Sequence, residues 1–411
     1  GFPTARRGNE EWKYTDVGPI ARESFQPLLT PPAPVRLKTG ELGPFTFRES
    51  SWSRLVFVDG SYNAQLSSLS SLPAGVSVVN LAEAMTSKAD LVEHHLARHA
   101  SYATNAFTAL NTAFVHEGAL VYIPDGTLVE EPVHLLFLST SRQQATVSHP
   151  RVLVLVGKES RATIIESYGG LADGRYFTNT VTEVVLGAGA VVRHYRVQRQ
   201  SEQAFHIGTH QVELDRDSTF SSVTLDMGGG LVRNNLNVLM GGEGSSCMLN
   251  GLYLVTRSQH VDNQVIIDHA KPYTTSRELY KGILDGKSRS VFHGSIIVRK
   301  GAQKVDAQQV DKNLLLSDQA EADTKPAFWI YADDVKCGHG AACGQFDEHA
   351  LFYLRSRGIG EKTARSLLTR AFVSEVIASI DREPFRTHVD RLVRTTVQEW
   401  LGDDGAAEER D

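Results

Sequence analysis

From Ala119 onward, short runs rich in Val, Ile, Thr and Tyr recur, each closed by Gly, Asn, Asp or Ser. Such runs read as β-strands bounded by tight turns. Their starts fall at Ala119, Val133, Val152, Ala162, Phe177, Ala190, Ala204, Ser218, Val232, Ser246, His260, Thr275 and Ser290, and the later intervals are nearly all 13 to 15 residues. Gaps of about half a dozen residues are too short for the crossover helices of a Rossmann fold or an α/β barrel. An antiparallel sandwich or barrel and a solenoid of stacked coils remain, and the regular spacing favours the solenoid. Alternating positions such as Val232-Arg233-Asn234-Asn235-Leu236-Asn237-Val238-Leu239 suit strands with one face in a narrow core. Two runs per turn give a coil of roughly 28 residues.

The flanks carry a different period. Between residues 80 and 114, apolar residues recur at helical spacing (Leu81, Ala84, Met85; Leu91, Leu96; Phe107, Leu110, Phe114), which predicts one to three helices. After Asp347 the helical pattern returns with Ala350, Leu351 and Leu354, is interrupted at Gly358 and Gly360, and resumes through Leu367, Leu368, Phe372 and Val376. A third helix follows Pro384, with Val389, Leu392, Val393, Val397 and Trp400. Asp347 is the expected N-cap of the first. A solenoid must have its end coils covered by another element or another chain, and the N-terminal helices are candidates for one end. The first 45 or so residues join the charged aromatic segment Glu10-Glu11-Trp12-Lys13-Tyr14-Thr15-Asp16 to a linker marked by Pro31, Pro32 and Pro34. The organisation is thus an N-terminal, partly helical region at 1–117, a solenoid core at 118–345, a C-terminal helical region at 346–402 and an acidic tail at 403–411.

Composition narrows the function. The 411 residues carry a net charge of −6, which disfavours a strongly basic nucleic-acid binder. Apolar runs such as 135–138 and 152–156 fall far short of the roughly 20 residues that cross a bilayer. Three cysteines make no disulfide framework, and without a signal-type opening the expected location is the cytoplasm, or an equivalent reducing organelle compartment. A phosphate-binding loop is missing: Gly286-Lys287-Ser288 supplies its last three positions, but Lys281 stands where the first Gly belongs. Any ATP hydrolysis must come from a partner. Gly-x-Ser-x-Gly is also missing.

Several side chains have ligand spacing. His95 and His99 fit one helix face and His206 and His210 one strand face, but two imidazoles without a third ligand make a poor metal site, so these pairs read as surface or satisfied core histidines. Cys337-Gly338-His339-Gly340-Ala341-Ala342-Cys343 places three ligands within seven residues, enough for zinc or an iron–sulfur species. The alternative is two ordinary thiols and a hydrogen-bonded histidine in a tight turn. Cys247 reads as a small core residue. Asp333 and Asp334 suggest the paired carboxylates of a solenoid lyase, against a solvated turn. Trp12 and Tyr14 are candidates for stacking on a ligand, against packing on the segment that follows them.

Taken together, the segment from Arg6 to Asp16, Asn313-Leu314-Leu315-Leu316-Ser317-Asp318, Asp333-Asp334-Val335-Lys336-Cys337-Gly338-His339-Gly340 and Leu351-Phe352-Tyr353-Leu354-Arg355-Ser356-Arg357-Gly358-Ile359 resemble the SufB/SufD family of iron–sulfur cluster assembly scaffolds in the SUF system. The resemblance spans most of the chain. The SufD branch fits best, because SufB carries cysteine sulfur acceptors in its β-helix and no thiol lies around Gln308-Gln309-Val310-Asp311. It implies a right-handed parallel β-helix with helical N- and C-terminal regions. It also implies a non-catalytic subunit that pairs with SufB through the β-helix end and holds the ATPase SufC through the C-terminal helices, at Asp347, Glu348, Leu351, Tyr353, Leu354, Arg355 and Arg357. A transient, nascent iron–sulfur cluster shared with SufB would then lie against His339, which maps onto the family's Cys-Ser-His-Gly segment, with Cys337 a further candidate. Here Gly338 replaces the usual Ser, and Ala342-Cys343 stands where Thr-Val is common. A reduced flavin in the complex is left open. A plant source would place the chain in the plastid stroma, and without SufB the same edge would pair two copies into a homodimer. The competing readings are a β-helix polysaccharide lyase or epimerase and a plain interaction solenoid without cluster chemistry.

Overall fold

The computed structural model describes residues 3, 10–27, 37, 39–47, 51–140 and 145–401. The prolines at 31, 32 and 34, residues 6–9 of the N-terminal signature and the tail from 402 lie outside the described residues. Strand accounts for 44% and helix for 22%, and the strands wind into a β-solenoid of about seven turns. Each full turn gives one strand to each of two sheets. One sheet runs from Gly118–Ile123 through Arg151–Val156, Tyr176–Leu186, Phe205–Leu214, Leu231–Met240, His260–His269 and Arg289–Val298 to Glu321–Ile330. The other runs from Ser53–Val58 through Val133–Ser139, Arg161–Gly170, Val191–Arg199, Thr219–Asp226, Ser246–Val255, Thr275–Leu284 and Asp306–Leu315 to Lys336–Gly344. Neighbouring strands within these runs are parallel, with registers such as Phe177↔Phe205 and Val191↔Thr219, which reproduce the 28-residue coil.

The corners explain why so weak a sequence repeat folds so regularly. Eight of them place one residue in the left-handed region, taken by Gly189, Gly244 and Gly286 and, against the usual preference, by Glu159, Asp217, Arg257, Tyr273 and Lys304 at φ 54 to 61°. At five of these a small buried residue follows: Ser160, Ala190, Ser218, Ser245 and Thr274. The chain then re-enters a strand with its alternation in phase.

Inward positions make the lumen. At the N-terminal end it is apolar, with Leu55, Phe57, Val121, Leu135, Phe137, Val152, Val154 and Ile164 all buried in one core cluster. Phe57, Phe137 and Tyr168 stack there with centroids 4.9 and 5.0 Å apart. That end is closed by strands: Ser61–Tyr62 pairs antiparallel to Ser53–Val58, Ser77–Asn80 pairs antiparallel to Gly118–Ile123, and Tyr62, Leu72 and Val76 pack against the core.

The helices flank the solenoid, and the expectation that the N-terminal ones plug an end is corrected. Helices Leu81–Ser87 and Ala89–His95 bury Leu81, Ala84 and Val92 against the outward-facing Leu120, Leu153 and Leu155 of the first sheet. Apolar outward positions on those strands attract a cover to the sheet face. The pair is fixed by Glu183, which takes hydrogen bonds from the backbone N–H of Ala97, His99 and Ala100 and from Arg151, with no exposure of its own side chain. Helix Ala106–Ala113 packs Phe107 with Trp12, Phe177, Ile207 and Leu231 on the same outer face. Trp12 thus packs in a buried cluster that includes Val17 and Ile20 of the segment after it as well as this helix. Arg233 lies 3.6 Å over its ring.

The C-terminal helices Glu348–Ser356, Glu361–Ala378 and Glu383–Leu401 follow the last strand. The second and third turn back along the outer face of the second sheet, where Val373, Val376, Ile377, Phe385, Val389, Val393 and Val397 meet Ile165, Tyr195, Val197, Leu225, Leu252 and Ile283. The final coil is left without a cap among the described residues. Its strand Lys336–Gly344 pairs on one side only, with Asp306–Leu315.

Candidate functional site

The uncovered coil gathers the residues singled out in the sequence. Lys336–Gly344 is a strand, so the segment from Cys337 to Cys343 is neither a tight turn nor a compact three-ligand knot. Register with Ala307, Gln309 and Asn313 stretches it to full extension. Two residues six positions apart on a strand stand roughly 20 Å apart, so Cys337 and Cys343 cannot hold one ion between them. Alternation does place Cys337, His339 and Cys343 on one face, the face that continues the lumen. Cys337 is half-buried against the core cluster and Cys343 is exposed. Burial pushes both thiols above the usual cysteine range. His339 is exposed at the rim, its ring 4.5 Å from that of Phe328 on the opposite sheet.

The layer beneath is polar, which alternation alone did not reveal. Gln309, Asp311 and Asn313 point inward from Asp306–Leu315, beside Glu278 of the preceding coil. Gln309 Nε2 donates to Glu278 Oε2 at 2.8 Å, while Glu278 Oε1 and Gln309 Oε1 have no hydrogen-bond partner among the described residues. Asp311 accepts from Thr324 Oγ1 at 2.6 Å, Asn313 Nδ2 at 2.7 Å and Tyr253 Oη at 3.2 Å. Burial raises both carboxyls: Glu278 is pushed up to about 8, helped by the charge of Asp311, and Asp311 to about 6 against the hydrogen bonds it receives. The open end thus pairs an exposed imidazole with two carboxyls that hold protons more firmly than carboxyls in water. Imidazole nitrogen can ligate a metal or relay a proton.

The other candidates separate from this end. Asp333 and Asp334 sit in the exposed connection between the last two strands, bound to Gln303 Nε2 at 2.8 Å and Lys304 Nζ at 2.5 Å. They form the solvated turn and face no groove of acids. The helix carrying His95 ends there, with Ala97 left-handed, so His99 is not on its face; the two rings nevertheless stack at 5.4 Å, and His99 Nδ1 meets Glu213 at 3.0 Å. His206 and His210 do share the inward face of Phe205–Leu214. Cys247 is buried in the core as expected.

Only Gln345 and Phe346 separate the terminal strand from Asp347, which caps the next helix by accepting from the His349 N–H at 2.9 Å. Of the residues expected to face a partner there, Asp347, Glu348, Tyr353, Arg355 and Arg357 are exposed, with Arg357 5.2 Å over the Tyr353 ring. Leu354 is half-buried. Leu351 is 3% exposed and anchors the helix. Phe352, 73% exposed, was missed, although its place off the Ala350–Leu351–Leu354 stripe marks it as an apolar residue with no core to enter.

Comparison with known proteins agrees with these features. The family model described as SUF system FeS cluster assembly, SufBD core domain, matches residues 137–372, and that of the SufBD protein N-terminal region matches residues 1–135. The iron-sulfur cluster assembly SufBD family protein slr0076 of Synechocystis is 33% identical over 380 residues, covering 90% of this chain and 83% of that one. The iron-sulfur cluster assembly protein SufD of Escherichia coli is 29% identical, covering 95% and 88%. Protein ABCI7, chloroplastic, of Arabidopsis thaliana is 30% identical, covering 95% and 83%. Among the described residues no helix is long and apolar enough to cross a membrane.

Proposed function

The chain belongs to the SufBD family of the SUF iron–sulfur cluster assembly system, and from that premise we propose that it is a non-catalytic scaffold subunit whose open solenoid end pairs with SufB. The observation that carries this reading is the terminal strand Lys336–Gly344, unpaired on its outer edge and bearing His339 at the rim. A row of free backbone N–H and C=O groups is a template for another strand. His339 then faces the partner's own lumen, and a nascent cluster, the cargo of the assembly, takes the imidazole as one ligand, or as proton carrier during sulfide transfer. Cys337, half-buried beside it, is the weaker candidate. Without SufB, two copies pair through the same edge.

SufC is proposed to dock on Glu348–Ser356 through Asp347, Glu348, Phe352, Tyr353, Arg355 and Arg357. The short connection from Gly344 to Asp347 makes the mechanism mechanical: ATP-driven pairing of two SufC subunits moves this helix, and the strand carrying His339 moves with it. The site would work in a reducing compartment such as the cytosol or the plastid stroma.

Co-purification with cognate SufB and SufC, followed by anaerobic iron and sulfide quantitation, tests the reading. The expected result is a stable complex whose cluster content falls in His339→Ala. An intact complex with unchanged content reduces His339 to structure and leaves an interaction solenoid; no complex at all removes the proposal. Charge reversal at Asp347 and Glu348 should weaken SufC binding, and unchanged affinity would place the docking surface elsewhere.

A further inference from the structure

We propose that Glu166, His194 and His210, deep in the solenoid lumen, form a binding site for one divalent first-row transition-metal ion, separate from the open end. One donor atom from each of the three lies within 4.8 Å of the others, and all three residues are buried. The donors come from both walls. Glu166 and His194 stand on adjacent strands of the second sheet, and His210 faces them from the first.

Each group is oriented for the task. Glu166 Oε1 lies 3.0 Å from His194 Nε2, and its carboxylate also accepts from Tyr168 Oη at 2.6 Å and Thr182 Oγ1 at 3.1 Å. Behind His194, Ser222 Oγ lies 3.2 Å from Nδ1 and fixes the ring. His210 is 6% exposed, and its Nε2 has no hydrogen-bond partner among the described residues. The same is true of Nε2 of His206, two residues away, whose Nδ1 is 2.8 Å from the Gln200 carbonyl Oε1. That bond makes Nδ1 the donor and leaves a lone pair on Nε2. Gly208 lies between them, and a Cβ there would come within 3.2 Å of His206 Nε2, so the absent side chain keeps the space open.

Two imidazoles and one carboxylate are a donor set that zinc and ferrous iron both accept. Ligands roughly 2.1 Å from a tetrahedral ion stand about 3.4 Å apart, so closure asks for side-chain shifts near 1 Å. Arg196, which also lines the lumen, is committed to Asp226 at 2.9 Å and Asn234 at 2.6 Å. A divalent ion would add its own charge to the hydrogen bonds that already stabilise the buried Glu166 carboxylate.

The test uses the chain alone. It is expressed in minimal medium with Co²⁺, so that folding can enclose the ion, and the purified protein is assayed for metal by mass spectrometry and for ligand-field absorption. Metal-stripped chain is titrated anaerobically with Co²⁺, Fe²⁺ and Zn²⁺ in parallel. The expected result is one ion per chain with a Co²⁺ spectrum of low coordination number. His210→Ala and His210→Gln should both lose it, while His339→Ala retains it. Ser222→Ala, which frees the ring behind the ligand, should weaken binding by about tenfold. Wild type without stoichiometric metal by either route overturns the proposal, whatever the variants do. So does undiminished metal in folded His210→Gln. Because the readout needs no SufB, SufC or cluster, its failure leaves the scaffold reading untouched.

Discussion

Replacing Glu278 by Gln should stabilise the protein, and the gain should grow with pH. Glu278 is 3% exposed, one carboxylate oxygen bonded only to Gln309 and the other unpartnered. Burial raises its pKa from 4.5 in the unfolded chain to about 8. Below pH 4.5 both states hold the proton and the group contributes nothing to the pH dependence. Between 4.5 and 8 the unfolded chain releases the proton while the folded one keeps it, so stability falls by about 1.4 kcal/mol per pH unit; above 8 the loss is constant. At pH 7 the accumulated penalty is about 3 kcal/mol, and at pH 5.5 about 1.4 kcal/mol. Gln keeps the shape and the acceptor for Gln309 and carries no such penalty. Urea unfolding of wild type and Glu278→Gln at pH 5.5, 6.25 and 7 should therefore show midpoints that diverge as pH rises, the variant unfolding later. Asp311, present in both chains, largely cancels in the difference. A midpoint difference independent of pH, or a variant less stable than wild type at pH 7, would refute the burial argument for this end of the lumen.

Glu183→Ala should cost about 3–5 kcal/mol, since it strands Arg151 in the interior and frees three backbone N–H groups; limited proteolysis should then cut near residues 96–105 well before the solenoid core, and an uncut segment would count against the anchoring role. Alkylation of the chain at a dilution that keeps copies apart should modify Cys343 first, Cys337 more slowly and Cys247 only in denaturant, following their exposure; pairing with SufB, or of two copies at higher concentration, should protect Cys343, and unchanged labelling in the complex would contradict the edge as interface.

The coils were legible because turn residues and alternation recur in phase. Expected starts at Ala119, Ala190, Val232 and Ser290 lie one residue from the observed Gly118, Val191, Leu231 and Arg289. The last three strands escaped the same reading. Asp306–Leu315, Glu321–Ile330 with Pro326 inside it, and Gly-rich Lys336–Gly344 have too few apolar inward positions to register as strands. Their polarity follows from their place at an end that is not sealed. Nor does alternation say what a polar residue on an inward position meets: Glu166 and His194 sit on neighbouring strands of one sheet, offset by two residues from register, but His210 reaches them only across the lumen. The pairing of His206 and His210 on one strand face was visible, and the third ligand that the pair lacked in sequence was not. The helices were found where expected, yet their destination depended on which strands carry apolar outward residues, Leu120, Leu153 and Leu155 for one group and Tyr195, Leu225 and Leu252 for the other.

The two ends of the solenoid solve opposite problems. Near Leu55, Phe57 and Val78 the lumen is apolar, and exposing it to water would cost roughly 25 cal/mol per Å², so the chain closes that end with its own antiparallel strands. Around Glu278, Gln309, Asp311 and His339 the lumen is polar, and water satisfies those groups when nothing else does. An open apolar edge would aggregate; an open polar edge persists as a specific, reversible contact. Because one end alone is open among the described residues, the pairing proposed there would also terminate. A solenoid edge that meets another of its kind through a two-fold axis leaves no free edge on either side, so assembly stops at two and does not run on into a fibre. The folded-back C-terminal helices are what permit this: by covering the flank of the second sheet, they leave the final strand uncovered, directly beside the helix proposed to take the ATPase.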